Sequence, residues 1–126
     1  MTKPGAGIGI IGNALRGEVR MPLGGKTRLL KFNLNSMASF SQRYGIAIEE
    51  MQKMSTRRMT LQQLRDIIYF ALAEGCRGQD VEVDFTELDV GDWLQEVSED
   101  KLKAIFKTYD GATSGEGKAS ARESKN

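Results

Sequence analysis

Histidine is absent from this 126-residue chain, which removes the commonest general base near neutral pH and the commonest zinc ligand. Cysteine occurs once, at Cys76. No internal disulfide can form, a reducing cytoplasm suits the chain, and the thiol reads as a small half-buried side chain after a helix. No apolar run approaches the roughly 20 residues of a membrane helix, and the start has no charged n-region followed by a long apolar h-region. Neither a membrane span nor a standard export signal is expected. An excess of either charge is also missing: 18 Lys and Arg face 17 Asp and Glu, for a net charge of +1. No global field therefore steers the molecule toward nucleic acid or an anionic membrane, and partner choice rests on local surface. These absences point to a binding protein and away from an enzyme.

What remains is enough chain for one domain with a single modest core. Residues 1–15 carry glycine at 5, 7, 9 and 12 with no helical periodicity and read as a flexible arm. Gly7, Gly9 and Gly12 spell G-x-G-x-x-G, but a dinucleotide site needs a strand before the motif and a helix after it, and six residues leave no room for the strand. From Glu18 the pattern alternates: Val19, Met21 and Leu23, then Gly24-Gly25, then Arg28, Leu30 and Phe32. This spacing predicts a β-hairpin over 18–32 with a two-residue turn, Val19 facing Leu30 and Leu23 facing Lys26. Pro22 has no N–H to donate, so its strand is an edge or leaves that position unpaired.

Helical periodicity takes over at Asn33, a candidate N-cap with Phe32 and Met37 placed as a hydrophobic staple. Helices are predicted over about 34–44, stopped by Gly45; 48–54, with Ile48, Met51 and Met54 spaced by three; and 61–74, opened by a Thr60/Gln63 capping box. The last is the most apolar and the expected central helix, with Gly75 placed to end it in the left-handed conformation. Residues 76–85 read as a loop. Thr86 with Asp89 starts a helix over 87–97, and Ser98 caps one over 99–109. Gly91 weakens the former by about 1 kcal/mol relative to alanine unless close packing compensates. Residues 112–126 hold no large apolar side chain and are expected to be disordered. The fold class is mainly α with an N-terminal β-hairpin (α+β): a small domain of four to five helices over residues 16–111.

No catalytic, cofactor or metal site emerges. Without histidine, a serine, threonine or tyrosine nucleophile needs a lysine or terminal amine, and no local context marks one. The pairs Glu49/Glu50 and Asp84/Asp89 read as solvated faces, and the acids of 80–92 do not follow the calcium-loop pattern. Two surfaces stand out. Arg20, Lys26, Arg28, Arg57 and Arg58 make a candidate basic surface, either a solvated face or an anion contact that admits a small nucleic-acid binder. Met37, Phe40, Tyr44, Met51, Met54, Met59 and Trp93 are candidates for a pliable client-binding or self-association surface, or else core.

The run GEVRMPLGGKTRLLKF, then NLNSMASFSQRYG, IAIEEMQKM, TLQQLRDIIYFALAEG and DFTELDVGDWL, resembles the tail assembly chaperones of long-tailed phages and phage-like gene transfer agents, over roughly residues 17–109. The resemblance is one of architecture and spacing. The glycine-rich arm and the serine-rich first helix depart from it. It implies a bacteriophage tail assembly protein that binds the tape measure protein in the host cytoplasm. There it keeps the client soluble until tail tube protein polymerises around it, and it is absent from the finished virion. It also implies a longer frameshifted form, for which Gly117-Lys118 is a candidate junction; separately, the open edge of the hairpin offers itself for strand pairing in a homo-oligomer. A structural tail or head–tail connector component is the alternative role within a virion.

Overall fold

The computed structural model describes residues 11–13 and 17–113. Strands β2 (Glu18–Leu23) and β3 (Lys26–Lys31) pair antiparallel across Gly24 and Gly25, whose φ angles of 62° and 89° glycine adopts at little steric cost. Val19 faces Leu30 and Leu23 faces Lys26, the register that the alternation and a two-residue loop predict. One face of the hairpin buries Val19, Met21, Leu23, Leu30 and Phe32. The Phe32 N–H donates to the Gly17 carbonyl at 2.7 Å. Hydrogen-bonded pairs therefore fall on the odd positions of β2, and the missing N–H of Pro22 points away from β3.

The flexible-arm reading of residues 1–15 is corrected at β1 (Ile11–Asn13), which pairs antiparallel with β2 and makes a three-stranded sheet of order β1-β2-β3. Gly12, counted in the G-x-G-x-x-G, lies inside that strand opposite Val19. A glycine-rich segment shows no side-chain alternation, yet its backbone donors and acceptors still satisfy an open sheet edge. Residues 1–10 and 14–16 lie outside the described residues. Toward Pro22 the described ladder ends at the Ile11–Arg20 pair, so that position is unpaired on its outer side among the described residues.

Five helices follow: α1 (Leu34–Tyr44), α2 (Ile48–Lys53), α3 (Leu61–Gly78), α4 (Glu87–Glu96) and α5 (Glu99–Thr113), with a single 3-10 turn at Thr56–Arg58. Each predicted N-cap is formed. Asn33 accepts from the Ser36 N–H, Thr60 from Gln63, Thr86 from Asp89 and Ser98 from Lys101, and Gly45 ends α1 at φ 64°. These bonds satisfy backbone donors that the first turn of a helix leaves free. Ile67, Ile68, Ala71 and Leu72 of α3 are essentially inaccessible, and each large member contributes about 1.5–3 kcal/mol by burial.

Two helix ends differ from the sequence prediction. Gly75 does not stop α3: the helix runs to Gly78, with Cys76 inside it, and the left-handed residue beyond is Asp80 at φ 59°. A Cβ on Gly75 would lie 1.9 Å from the Leu29 carbonyl oxygen. The bare glycine is thus what lets α3 lie against the outer edge of β3. Nor does order end at Gly111, since α5 continues to Thr113 and buries Ala112 and Thr113 beside β2. Here the packing partner is again glycine, with Gly17 placing an added Cβ 3.1 Å from the Ala112 methyl. Residues 114–126, the rest of the expected disordered tail, lie outside the described residues. The stretch Val81–Phe85 has no regular structure and anchors through buried Phe85.

Candidate functional site

The predicted methionine-rich surface divides once the helices pack. Phe40, Met51 and Met59 are buried, Phe40 completely so, and belong to the hydrophobic core. Met37 is half-buried and lines a cleft of about 150 Å³ with Leu34, Ile48 and Met51. Met54 lies in a different shallow pocket beside Ile46 and Arg58. Tyr44 stacks on Phe40 at 4.8 Å and donates its hydroxyl to Asp66. Trp93 sits over Gly24, where an added Cβ would collide with the indole, and packs against Phe85 at 5.6 Å. These residues do not form one continuous exposed face.

The basic candidates divide as well. Arg28 lies on the inner face of the hairpin, its guanidinium 4.2 Å from the Trp93 ring centroid and its Nε donating to the Leu23 carbonyl at 2.6 Å. Arg28 and Lys26 both reach Asp84 at 3.4 Å, which ties the loop before α4 to the hairpin. Arg20, Arg57 and Arg58 remain exposed and form no ion pair among the described residues.

Two buried carboxylates hold the helices in register. Asp66 on α3, 1% exposed, accepts from Tyr44 and from Arg65 Nε at 3.0 Å, with Arg43 at 3.3 Å. Burial works to raise its pKa, but these donors outweigh burial and hold it below the usual carboxylate value. Arg43 continues to Glu87 at 2.8 Å and lies over the Phe70 ring, so α1, α3 and α4 share one network. Glu74, also buried, accepts from Arg77, Asn33 and Asn35. The Arg77 bond, opposed by burial and aided by the two asparagines, brings its pKa down to about 2. Both networks are structural; among the described residues no cluster of three potential metal ligands occurs.

The feature that sequence reasoning missed is a groove between the first half of α3, α4 and the start of α5, with a volume of about 640 Å³. Leu61, Leu64 and Ile68 form one wall, Leu94 with Gly91 a second, and Leu102 with Phe106 the third. It exists because α5 turns its other face, Ile105, Tyr109 and Ala112, onto β2 and Phe32 and packs mainly on β2, α2 and the 3-10 turn. The stripes of α3, α4 and α5 each look like core in the sequence, yet together they hold more apolar surface than one shared interface covers. Leu61, at the start of the α3 stripe, is 85% exposed, and Leu88 on α4 is 70% exposed. The groove's one charged lining residue, Arg65, is tied to Asp66. No helix among the described residues is long and apolar enough to cross a membrane.

The chain was compared with family models, with characterised proteins and with solved structures, and none of them matches.

Proposed function

We propose that this chain is a tail assembly chaperone: a non-enzymatic protein that binds helical segments of the tape measure protein and keeps that client soluble until the tail tube forms around it. The observation that supports the reading is the open apolar groove on α3, α4 and α5. A helix with side chains is about 10 Å across and presents anchors at i, i+3 or i+4 and i+7, which a groove between helices receives. A long apolar helix awaiting assembly exposes the kind of surface that drives aggregation, and covering it requires neither a nucleophile nor a metal. The role places the chain in the host cytoplasm during assembly and outside the mature virion.

The test is coexpression with the tape measure protein. Wild-type chain should move the client into the soluble fraction and co-purify with it, and Leu61→Asp, at a groove position already facing water, should abolish both while leaving the fold intact. A client that stays insoluble beside the wild-type chain, or that Leu61→Asp protects equally well, overturns the reading.

A further inference from the structure

Charge is distributed very unevenly along a chain whose net charge is only +1. Between Arg77 and Lys101 there are nine acidic residues and no basic one. Part of that charge is used internally: Asp84 meets Lys26 and Arg28, Glu87 meets Arg43, and Asp89 caps the start of α4. Asp92 and Glu96 are exposed on α4 and enter no ion pair among the described residues. They follow directly on Gly91 and Gln95, which line the groove, so each stands about 100° further round α4, on its solvent side next to the groove. Exposed Leu88 lies one turn before Asp92 on the same side. On the opposite wall α5 carries both signs next to Leu102, with Glu99 and Asp100 cancelling Lys101 and Lys103. The groove walls are therefore largely apolar, Arg65 beside Gly91 being already paired with Asp66; the α5 side is close to neutral and the solvent side of α4 is negative.

From this asymmetry we infer that the groove selects amphipathic helices whose apolar stripe is flanked on one side by Lys or Arg, bound with that basic flank along α4. The inference rests on the helix-binding reading above and adds the chemistry of the segment and its orientation. Apolar burial supplies affinity without regard to direction, whereas the rim charges penalise an acidic flank and so set the choice of segment and its polarity. Rim pairs are solvated, so the selectivity is modest and salt-dependent.

The probes are two fluorescein-labelled model peptides with the same leucine stripe, one flanked by lysines and the other by glutamates, titrated with full-length chain and read by anisotropy. At low salt the lysine peptide should bind about tenfold more tightly, and 0.5 M NaCl should shrink the difference. Asp92→Lys with Glu96→Lys should abolish or reverse the preference, and Leu61→Asp should weaken both peptides. Equal affinity for the two peptides, still lost in Leu61→Asp, overturns the charge inference and leaves the chaperone reading standing. Binding of neither peptide, together with a dimer in sedimentation that Leu61→Asp dissociates, shows a groove covered by a second copy and overturns both. Binding of neither peptide by a monomer likewise overturns both.

Discussion

Two glycine-to-alanine substitutions in neighbouring helices should act in opposite directions, because their surroundings leave different room for a methyl group. Both Gly75 and Gly91 are helical, and alanine in a helix interior is worth about 1 kcal/mol over glycine. At Gly91 an added Cβ would meet nothing closer than the Arg65 Cδ at 3.4 Å, an ordinary contact with a flexible side chain. Gly91→Ala should therefore stabilise the protein by about 0.5–1 kcal/mol. At Gly75 the same methyl would lie 1.9 Å from the Leu29 carbonyl oxygen, against a 3.0 Å limit that real Cβ atoms respect. Relief requires α3 and β3 to part by about 1 Å at their closest approach, and overpacking of this kind costs about 1–3 kcal/mol or more. Because the obstacle is backbone and cannot rotate away, the upper part of that range applies, and the net loss after the propensity gain is about 2 kcal/mol. For a domain of this size the melting temperature should fall by roughly 8–16 °C for Gly75→Ala and rise by about 2–8 °C for Gly91→Ala. Urea unfolding followed by circular dichroism measures both, with the m-value as a check that cooperativity is unchanged. A Gly75→Ala protein as stable as wild type would refute the close approach of α3 to β3.

The division of the methionines is open to the same kind of measurement: Met51→Ala should cost about 2–5 kcal/mol as a core truncation, and half-exposed Met54→Ala under about 1 kcal/mol. Equal losses in the two denaturation curves would contradict the burial of Met51. Glu74 predicts an acid dependence. Its folded-state pKa, about 2, is below the ordinary 4.5, so its contribution is fully present above pH 4.5 and is lost as pH falls from there toward 2. With Arg77 largely solvated, the amount is about 1–2 kcal/mol. Glu74→Gln should flatten that part of the stability–pH curve, and an unchanged slope between pH 4.5 and 2 would count against the Arg77–Glu74–Asn33 cluster.

The sequence by itself determined the local architecture. The Gly24-Gly25 turn, the pairing of Val19 with Leu30, the capping residues Asn33, Thr60, Thr86 and Ser98, and the extents of five helices to within a few residues were all legible. Each is encoded within about four residues by turn chemistry, capping or periodicity. Tertiary structure decided what the same residue types are used for. Gly45 ends a helix and Gly75 does not, although both follow an apolar helical run, because only a carbonyl brought from Leu29 some 46 positions earlier distinguishes them. Gly12 joins a strand because the edge of β2 needs a partner, not because its neighbours alternate. Met51 and Leu94 each occupy an apolar stripe, yet one fills the core and the other lines an open groove. The difference lies in where α5 docks. It turns its buried face onto β2 and Phe32 and leaves the start of the α3 stripe and one side of α4 open. Periodicity reports that a helix has an apolar face, but which faces meet, and which one is left over for a partner, depends on contacts between residues far apart in the chain.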